Sequence, residues 1–92
     1  ARLFPVPGMN HCSGGPAADQ FDMVDAIVKW VEQGAAPETV IATARGAGAV
    51  SVNTEVPSGW SANRTRPLCA YPKVPRYNGT GNMELASSFT CR

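Results

Sequence analysis

The longest regular alternation of hydrophobic and polar positions lies between residues 19 and 33. Four β-branched apolar residues there follow the i, i+3, i+4, i+7 spacing of one helix face: Val24, Ile27, Val28 and Val31. The pattern predicts an amphipathic α-helix over Asp19–Gln33 whose apolar face is buried. Asp19 is the expected N-cap, because its carboxylate can accept hydrogen bonds from the first free backbone N–H groups, and Gly34 is the expected stop.

The segment before this helix is short and apolar, and then becomes rich in glycine. Residues 2–7 predict the end of a strand, since Pro5 and Pro7 cannot donate the backbone hydrogen bonds that would continue the pairing. Residues 8–18 predict a loop, in which the glycines permit positive φ angles and close approach of the backbone. The predicted order is therefore a strand end, a loop and a helix.

The segment after the helix predicts shorter elements. Residues 39–44 are rich in β-branched side chains and follow Pro37, which predicts a strand. Residues 65–71 predict a short strand broken by Pro67, and residues 82–88 predict one or two helical turns. The rest of this tail is punctuated by proline and glycine, which is typical of loops.

Composition limits the partners that the chain can have. With 92 residues and a net charge of +1, it is one small domain at most. No apolar run approaches the ~20 residues that span a membrane, so we expect no membrane partner. Basic and aromatic side chains occur together in the tail, a combination that can clamp single-stranded nucleic acid. We interpret them as a solvated loop face with packed aromatic rings, and expect no nucleic-acid partner. These residues are Arg64, Arg66, Lys73 and Arg76, with Trp60, Tyr71 and Tyr77.

Several catalytic and cofactor motifs are missing from the sequence. The glycine-rich run at residues 46–48 lacks the lysine of a phosphate-binding P-loop, and Ser51 stands where a dinucleotide-binding loop needs its third glycine. One histidine and three scattered cysteines do not form the ligand cluster of a zinc site. No serine stands in the G-x-S-x-G frame of a hydrolase nucleophile.

The remaining candidate for chemistry is His11, in the loop sequence PGMNHCSGGP. A lone histidine in a glycine-rich loop is usually an ordinary surface residue. This one, however, follows a predicted strand end and precedes a helix. In α/β-hydrolases the triad histidine comes last along the chain, on a loop after a late strand. Small neighbours would leave its ring accessible to a substrate. We therefore interpret His11 as a catalytic histidine.

The chain contains an odd number of cysteines: Cys12, Cys69 and Cys91. In a secreted protein an odd count indicates a partner outside the chain or a free thiol. If Cys12 bonded a cysteine beside a serine nucleophile, that disulfide would hold the serine and His11 within the ~3 Å that proton transfer requires. Sequons at Asn63 and Asn78 are candidate glycosylation sites and also fit a secreted protein.

Three stretches of the chain resemble the tannase and feruloyl esterase family: PGMNHCSGGPAADQFD, VKWVEQGAAPETVIA and RTRPLCAYPKVPRYNGTGN. They cover nearly the whole chain in the same order as in the family, which consists of α/β-hydrolases with an inserted lid domain that often carries calcium. The resemblance implies that His11 is the triad histidine and that Cys12 forms a disulfide with a cysteine outside this chain. It also implies that Cys69 and Cys91 pair with each other.

The resemblance further implies an α/β fold in which residues 1–92 are the C-terminal segment of an α/β-hydrolase catalytic domain. Such a segment would contain a late strand, the histidine loop, an amphipathic helix, a short strand and a loop-rich tail stapled by a disulfide. The nucleophile, the orienting aspartate and the lid would lie upstream, so the isolated chain is expected to be inactive. No cofactor or metal is expected in this segment.

The expected function is that of a secreted or periplasmic serine esterase. Its substrates would be esters of aromatic acids such as gallates, hydroxycinnamates or terephthalate monoesters, and the partner of this segment would be the remainder of the esterase chain. Two alternatives stay open. The chain could be a non-enzymatic, secreted, disulfide-linked interaction module, which predicts that it folds stably alone. It could also belong to an inactive relative of the hydrolases.

Overall fold

The computed structural model describes all of residues 1–92. One helix and two small antiparallel sheets make up its regular structure. The elements are α1 (Met23–Gln33), β1 (Thr39–Thr43), β2 (Thr65–Cys69), β3 (Pro75–Tyr77), a 3-10 turn (Ala86–Ser88) and β4 (Phe89–Cys91). The helix is too short to cross a membrane.

The predicted helix is present, but it begins later than predicted. Its N-cap is Asp22, whose side chain accepts a hydrogen bond from the backbone N–H of Asp25 at 3.0 Å. The prediction that Asp19 is the N-cap is therefore wrong, because the Asp19 carboxylate is committed to other partners. The predicted stop is confirmed: Gly34 has a φ of 68° and donates its N–H to the carbonyl of Trp30.

The orientation of the helix also differs from the prediction. The four residues of the apolar stripe, which we call the outer face of α1, are 42–81% exposed: Val24, Ile27, Val28 and Val31. The side of the helix that packs on the core is formed instead by Met23 and Ala26. The apolar stripe is therefore largely in solvent within these 92 residues, and the prediction that it is buried is wrong for this chain.

The core lies between the first sheet and the segments around it. Strand β1 pairs antiparallel with β2, and Ile41 lies opposite Pro67. The strand predicted at residues 39–44 is thus confirmed over Thr39–Thr43. Its partner continues through Pro67 rather than breaking there, which a proline permits where its missing N–H faces the open edge of a sheet. The buried centre consists of Val40, Ala42 and Leu68.

Two predicted elements are reduced or absent. Residues 2–7 form no strand. Only the carbonyl of Leu3 makes a sheet-like contact, accepting from the N–H of Tyr71 at 2.7 Å. Pro5 and Pro7 lack the donors that would extend this contact into a ladder. Residues 82–88 contain a single 3-10 turn rather than α-helical turns.

A disulfide joins the two sheets. Cys69, at the end of β2, is bonded to Cys91, at the end of β4, as the family resemblance implies. The 22-residue separation closes a loop whose cross-link is worth about 3 kcal/mol in the chain-entropy model. That contribution matters here because only 14 of the 92 residues are buried, and so small a core stabilises a chain weakly.

Candidate active site

His11 lies on an exposed loop between the extended N-terminal segment and α1. Its neighbour Cys12 is also exposed, and its thiol is free in this chain. Cys12 has a φ of 69°, which makes it the one non-glycine residue with a left-handed backbone. This conformation costs an L-residue about 1–2 kcal/mol and persists only where the surrounding structure enforces it.

The loop closes into a compact turn around the histidine. The backbone N–H of Asn10 donates to the carbonyl of Gly14 at 3.2 Å, so residues 10–14 form what we call the His11 turn. Behind it, Gly15 has a φ of 76° and lies directly against Gly8. A Cβ atom on Gly15 would approach the carbonyl oxygen of Gly8 to 2.2 Å, so only glycine fits. The turn therefore depends on glycine on its inner side.

A buried ion pair holds one end of the His11 turn. The Asp19 side chain is 0% exposed, and its two carboxylate oxygens accept hydrogen bonds from Arg45, at 3.1 Å from Nε and 2.5 Å from Nη2. The oxygen Oδ2 also accepts from the backbone N–H of Gly14 at 2.7 Å. The hydrogen bonds from Arg45 hold the pKa of Asp19 below its ordinary value, although burial of the carboxyl group opposes this.

Two residues of the 53–55 loop hold the remaining parts of the turn. The buried Asn53 donates from Nδ2 to the carbonyl of Gly15 at 2.8 Å, and Asn10 donates from Nδ2 to Glu55 at 2.9 Å. The side chain of His11 takes no part in these bonds. We call Asp19, Arg45, Asn53 and Glu55 the anchoring network. The network fixes both ends of the turn and leaves the imidazole free for other partners.

The surroundings of His11 lack the other parts of a catalytic site. None of the four surface clefts is lined by His11 or Cys12. No three His, Cys, Asp or Glu side chains lie together as metal ligands would. What this arrangement can offer chemically is one accessible imidazole on a firmly held backbone.

The other residues singled out from the sequence lie away from this turn. Asn63 and Asn78 are exposed, as an acceptor of glycosylation must be, and their modification stays a prediction. Arg64 stacks over Trp60 with 4.1 Å to the ring centroid, and Arg66 stacks over Phe89 at the same distance. Two of the four basic side chains of the tail are thus engaged within the protein.

Sequence reasoning missed the anchoring network. Asp19 was assigned to the helix, and Arg45 and Asn53 were given no role. A weak signal did exist, because Asp19 directly follows three small, apolar residues at the end of the loop, Pro16, Ala17 and Ala18. A lone carboxylate in such a segment needs a buried partner. Its partner is 26 residues further along the chain, where no local pattern marks it.

Comparison with known proteins identifies the family of this chain. The model of the family described as tannase and feruloyl esterase matches residues 1–92. The chain is 48% identical over 91 residues to mono(2-hydroxyethyl) terephthalate hydrolase from Piscinibacter sakaiensis, covering 99% of this chain and 14% of that protein. It is 45% identical over 92 residues to a probable feruloyl esterase from Arthroderma benhamiae, covering 98% of this chain and 15% of that protein.

A solved structure shows the same arrangement of the chain. Feruloyl esterase B from Aspergillus oryzae superposes with a TM-score of 0.64 at 28% identity, over 99% of this chain and 18% of that one. The chain thus spans less than a fifth of the length of each of these three relatives.

Proposed function

Because this chain belongs to the tannase and feruloyl esterase family, we propose that it forms the C-terminal part of the α/β-hydrolase domain of a secreted serine esterase and provides His11 as the triad histidine. The observation that carries the proposal is the family match over all 92 residues, the His11 turn included. The geometry supports it, since the imidazole is exposed on a backbone that is held at both ends.

The proposed chemistry is general acid–base catalysis by the imidazole. Neutral His11 accepts the proton of the serine hydroxyl as the serine oxygen attacks the ester carbonyl, and then returns a proton to the departing alcohol. In the second half of the reaction it activates water to hydrolyse the acyl-enzyme. A base of this kind accelerates turnover by roughly 10²–10⁴-fold. The serine, the orienting aspartate and the oxyanion donors would come from the rest of the esterase, so the isolated chain would be inactive.

Cys12 would complete the site by joining the two catalytic loops. Its thiol is exposed and unpaired within the chain, while the other two cysteines are bonded to each other. A disulfide from Cys12 to a cysteine beside the nucleophile would tether His11 to the serine. The left-handed backbone at Cys12 suits this role, because strained conformations of this kind concentrate at functional positions.

The proposed substrates are carboxylic esters of aromatic acids. The named relatives act on mono(2-hydroxyethyl) terephthalate or on feruloyl esters, and both substrate names denote esters of an aromatic acid. The choice among such esters would depend on the rest of the esterase, since none of the clefts on this chain is lined by His11.

The partner of this segment would be the remainder of the esterase chain. The outer face of α1 exposes four β-branched side chains, including Val24 at 73% and Val31 at 81%. Contiguous apolar faces of this kind mark interaction surfaces. Relatives about seven times as long supply the chain length to cover it.

Substitution of the histidine tests the proposal. In the full-length esterase, His11→Ala should lower kcat on a feruloyl or terephthalate monoester by at least about 10²-fold, because the general base is lost. Ser13→Ala, a change at an exposed position in the same turn, is the control and should keep kcat. Near-normal turnover by the His11→Ala enzyme would exclude the proposed role.

The isolated chain provides a second test, which separates the proposal from an interaction module. Residues 1–92 should hydrolyse none of these esters, since they lack a nucleophile in the G-x-S-x-G frame. They should also show no cooperative melt, because the outer face of α1 remains uncovered. A sharp thermal transition of the isolated chain would favour the interaction module. A full-length protein with no turnover on any aromatic ester would indicate an inactive relative.

A further inference from the structure

The buried ion pair between Asp19 and Arg45 lies beside the His11 turn, and a contribution to stability does not by itself account for it. The Asp19 side chain is 0% exposed and that of Arg45 is 22% exposed. Removing two charges from water is costly, and replacing a buried ion pair with packed apolar side chains is often neutral or stabilising. Both oxygen atoms of the Asp19 carboxylate nevertheless accept hydrogen bonds from the Arg45 guanidinium, and this two-point contact fixes the distance and the angle between the two groups.

The ion pair continues directly into the backbone of the turn. Oδ2 of Asp19 accepts from the N–H of Gly14 at 2.7 Å, and the carbonyl of Gly14 accepts from the N–H of Asn10 at 3.2 Å. His11 is the residue that follows Asn10. Arg45 is therefore connected to the backbone next to the histidine through three consecutive hydrogen-bonded steps.

Arg45 is itself held by the loop that grips the other side of the turn. Its carbonyl accepts from the N–H of Asn53 at 2.8 Å, and its Nη1 donates to the carbonyl of Ser51 at 3.4 Å. Asn53 in turn donates to the carbonyl of Gly15 at 2.8 Å. The guanidinium thus lies between the turn and the 45–53 loop and contacts both.

We propose that Asp19 and Arg45 are positioning residues for His11, whose ion pair holds the His11 turn at the height and angle from which the imidazole reaches the serine hydroxyl. The proposal rests on the proposed role of His11 as the triad base. Neither residue touches the substrate; both act through the backbone of Gly14. A displacement of about 1 Å at a catalytic group can cost about 10²-fold in rate, so a loosened turn should be visible in turnover.

The test compares two isosteric changes in the full-length esterase. Asp19→Asn removes the carboxylate charge but keeps the shape of the side chain. Glu84→Gln does the same at a second, partly buried ion pair, Arg64–Glu84, whose atoms lie 2.8 Å apart and hold residues outside the turn. Tm, kcat and KM are measured for both variants, with kcat given per folded molecule at a temperature well below both transitions.

We expect Asp19→Asn to lower kcat by about 10- to 100-fold with little change in KM. A misplaced base reduces stabilisation of the transition state but leaves substrate binding unchanged. Glu84→Gln should lower Tm without changing kcat. Wild-type kcat in Asp19→Asn, or an equal loss of kcat in both variants, would overturn the proposal. The proposal would also be overturned if the activity of Asp19→Asn fell only because fewer molecules are folded, so that kcat per folded molecule equals that of the wild type.

Arg45→Lys serves as a second variant should Asp19→Asn fail to fold. It keeps the positive charge but loses the planar fork, so kcat should fall in the same direction by a smaller factor, again with KM unchanged. Unaltered kcat in that variant would overturn the proposal. The His11→Ala variant, prepared and assayed in the same way, distinguishes the proposed catalytic role of His11 from the positioning role of Asp19 and Arg45. If His11→Ala remains active, the proposed function fails; if it is inactive while Asp19→Asn keeps full kcat, only the positioning role fails.

Discussion

The His11 turn and the outer face of α1 are both exposed, yet they relate differently to the rest of the chain. The turn is held by directional polar contacts that all come from within residues 1–92, including the bonds to Asp19 and Asn53. The outer face consists of bare apolar side chains with Val24 and Val31 largely in solvent. The contacts that define the shape of the His11 turn lie within residues 1–92, whereas a surface that would bury the outer face of α1 does not.

This difference separates two kinds of dependence on the remainder of the proposed esterase. Hydrogen bonds and ion pairs fix distances and angles, so the geometry around His11 can be specified by this segment alone. Burial of apolar surface is non-directional and needs only a complementary surface, which a core of 14 buried residues cannot provide. If His11 is the base, as proposed, this segment specifies its placement, whereas burial of the outer face of α1 would depend on the proposed remainder of the esterase.

The largest effect is expected from a methyl group directly behind the His11 turn. Gly15→Ala in the full-length esterase places a Cβ atom 2.2 Å from the carbonyl oxygen of Gly8 and 3.0 Å from the nitrogen of Asn10. The backbone must move away, and with it His11. We expect kcat to fall by at least about 10²-fold, as measured by steady-state hydrolysis of an aromatic ester.

Gly34→Ala is the matched control for this change. Gly34 also has a left-handed backbone, with a φ of 68°, but a Cβ atom there meets nothing within 4 Å. It should cost about 1–2 kcal/mol of stability from conformation alone and leave kcat intact. Equal losses of kcat in the two variants would mean that a left-handed glycine, and not the contact with Gly8, is what the enzyme needs.

A smaller effect is expected at the outer face of α1. Val24→Asp puts a charge at the N-terminal turn of the helix, where the helix dipole favours it, so the substitution should be harmless if Val24 stays in solvent. If the upstream chain covers this face, the charge is buried and about 2–4 kcal/mol of stability is lost. Urea unfolding of the full-length protein, followed by tryptophan fluorescence, measures the difference.

Glu32→Asp is the control for the helix experiment. It introduces the same poor helix former on the charged side of α1 and should cost less than about 0.5 kcal/mol. Similar unfolding midpoints for Val24→Asp and Glu32→Asp would show that the apolar face is not covered in the intact protein. The contrast between the two regions would then disappear.

The smallest effect concerns acid stability. The pKa of Asp19 is lowered in the folded protein, so the folded state binds this proton less readily than the unfolded state does. The resulting stability is fully present above the unfolded pKa of about 3.9 and is lost as the pH falls through the lower folded value. Between about pH 4 and pH 2 the wild type should therefore lose more stability than Asp19→Asn. Parallel urea midpoints across this range would contradict the ion pair.

Local patterns predicted the parts of the fold that depend on near neighbours. The helix, its end at Gly34 and the strand at 39–44 follow from spacing, glycine chemistry and β-branching within a few residues. The same patterns could not show which side of α1 meets the core. Both sides of the helix carry apolar residues, and the choice of Met23 and Ala26 depends on what else is present to pack against.

The candidate site divides in the same way. The loop, its glycines and the position of His11 beside Cys12 could be predicted from the sequence. The anchoring network could not, because Asp19 looks like a helix cap until Arg45 is known to lie against it. A carboxylate three residues before the N-cap and one at the N-cap look alike in the sequence, and only the fold decided that Asp22 takes the cap.

The separation between the His11 turn and its anchors sets an order of events during synthesis. The bonds of the anchoring network join residues that are far apart in the chain: 26 residues separate Asp19 from Arg45, 38 separate Gly15 from Asn53, and 45 separate Asn10 from Glu55. At about 5–20 residues per second, the ribosome needs several seconds to extend the chain from His11 to Glu55. During that interval the complete motif exists as sequence without its geometry. In that interval the contacts that orient the backbone around Cys12 have not yet formed. If the chain enters an oxidising compartment at this stage, the Cys12 thiol can be oxidised before its orientation is fixed.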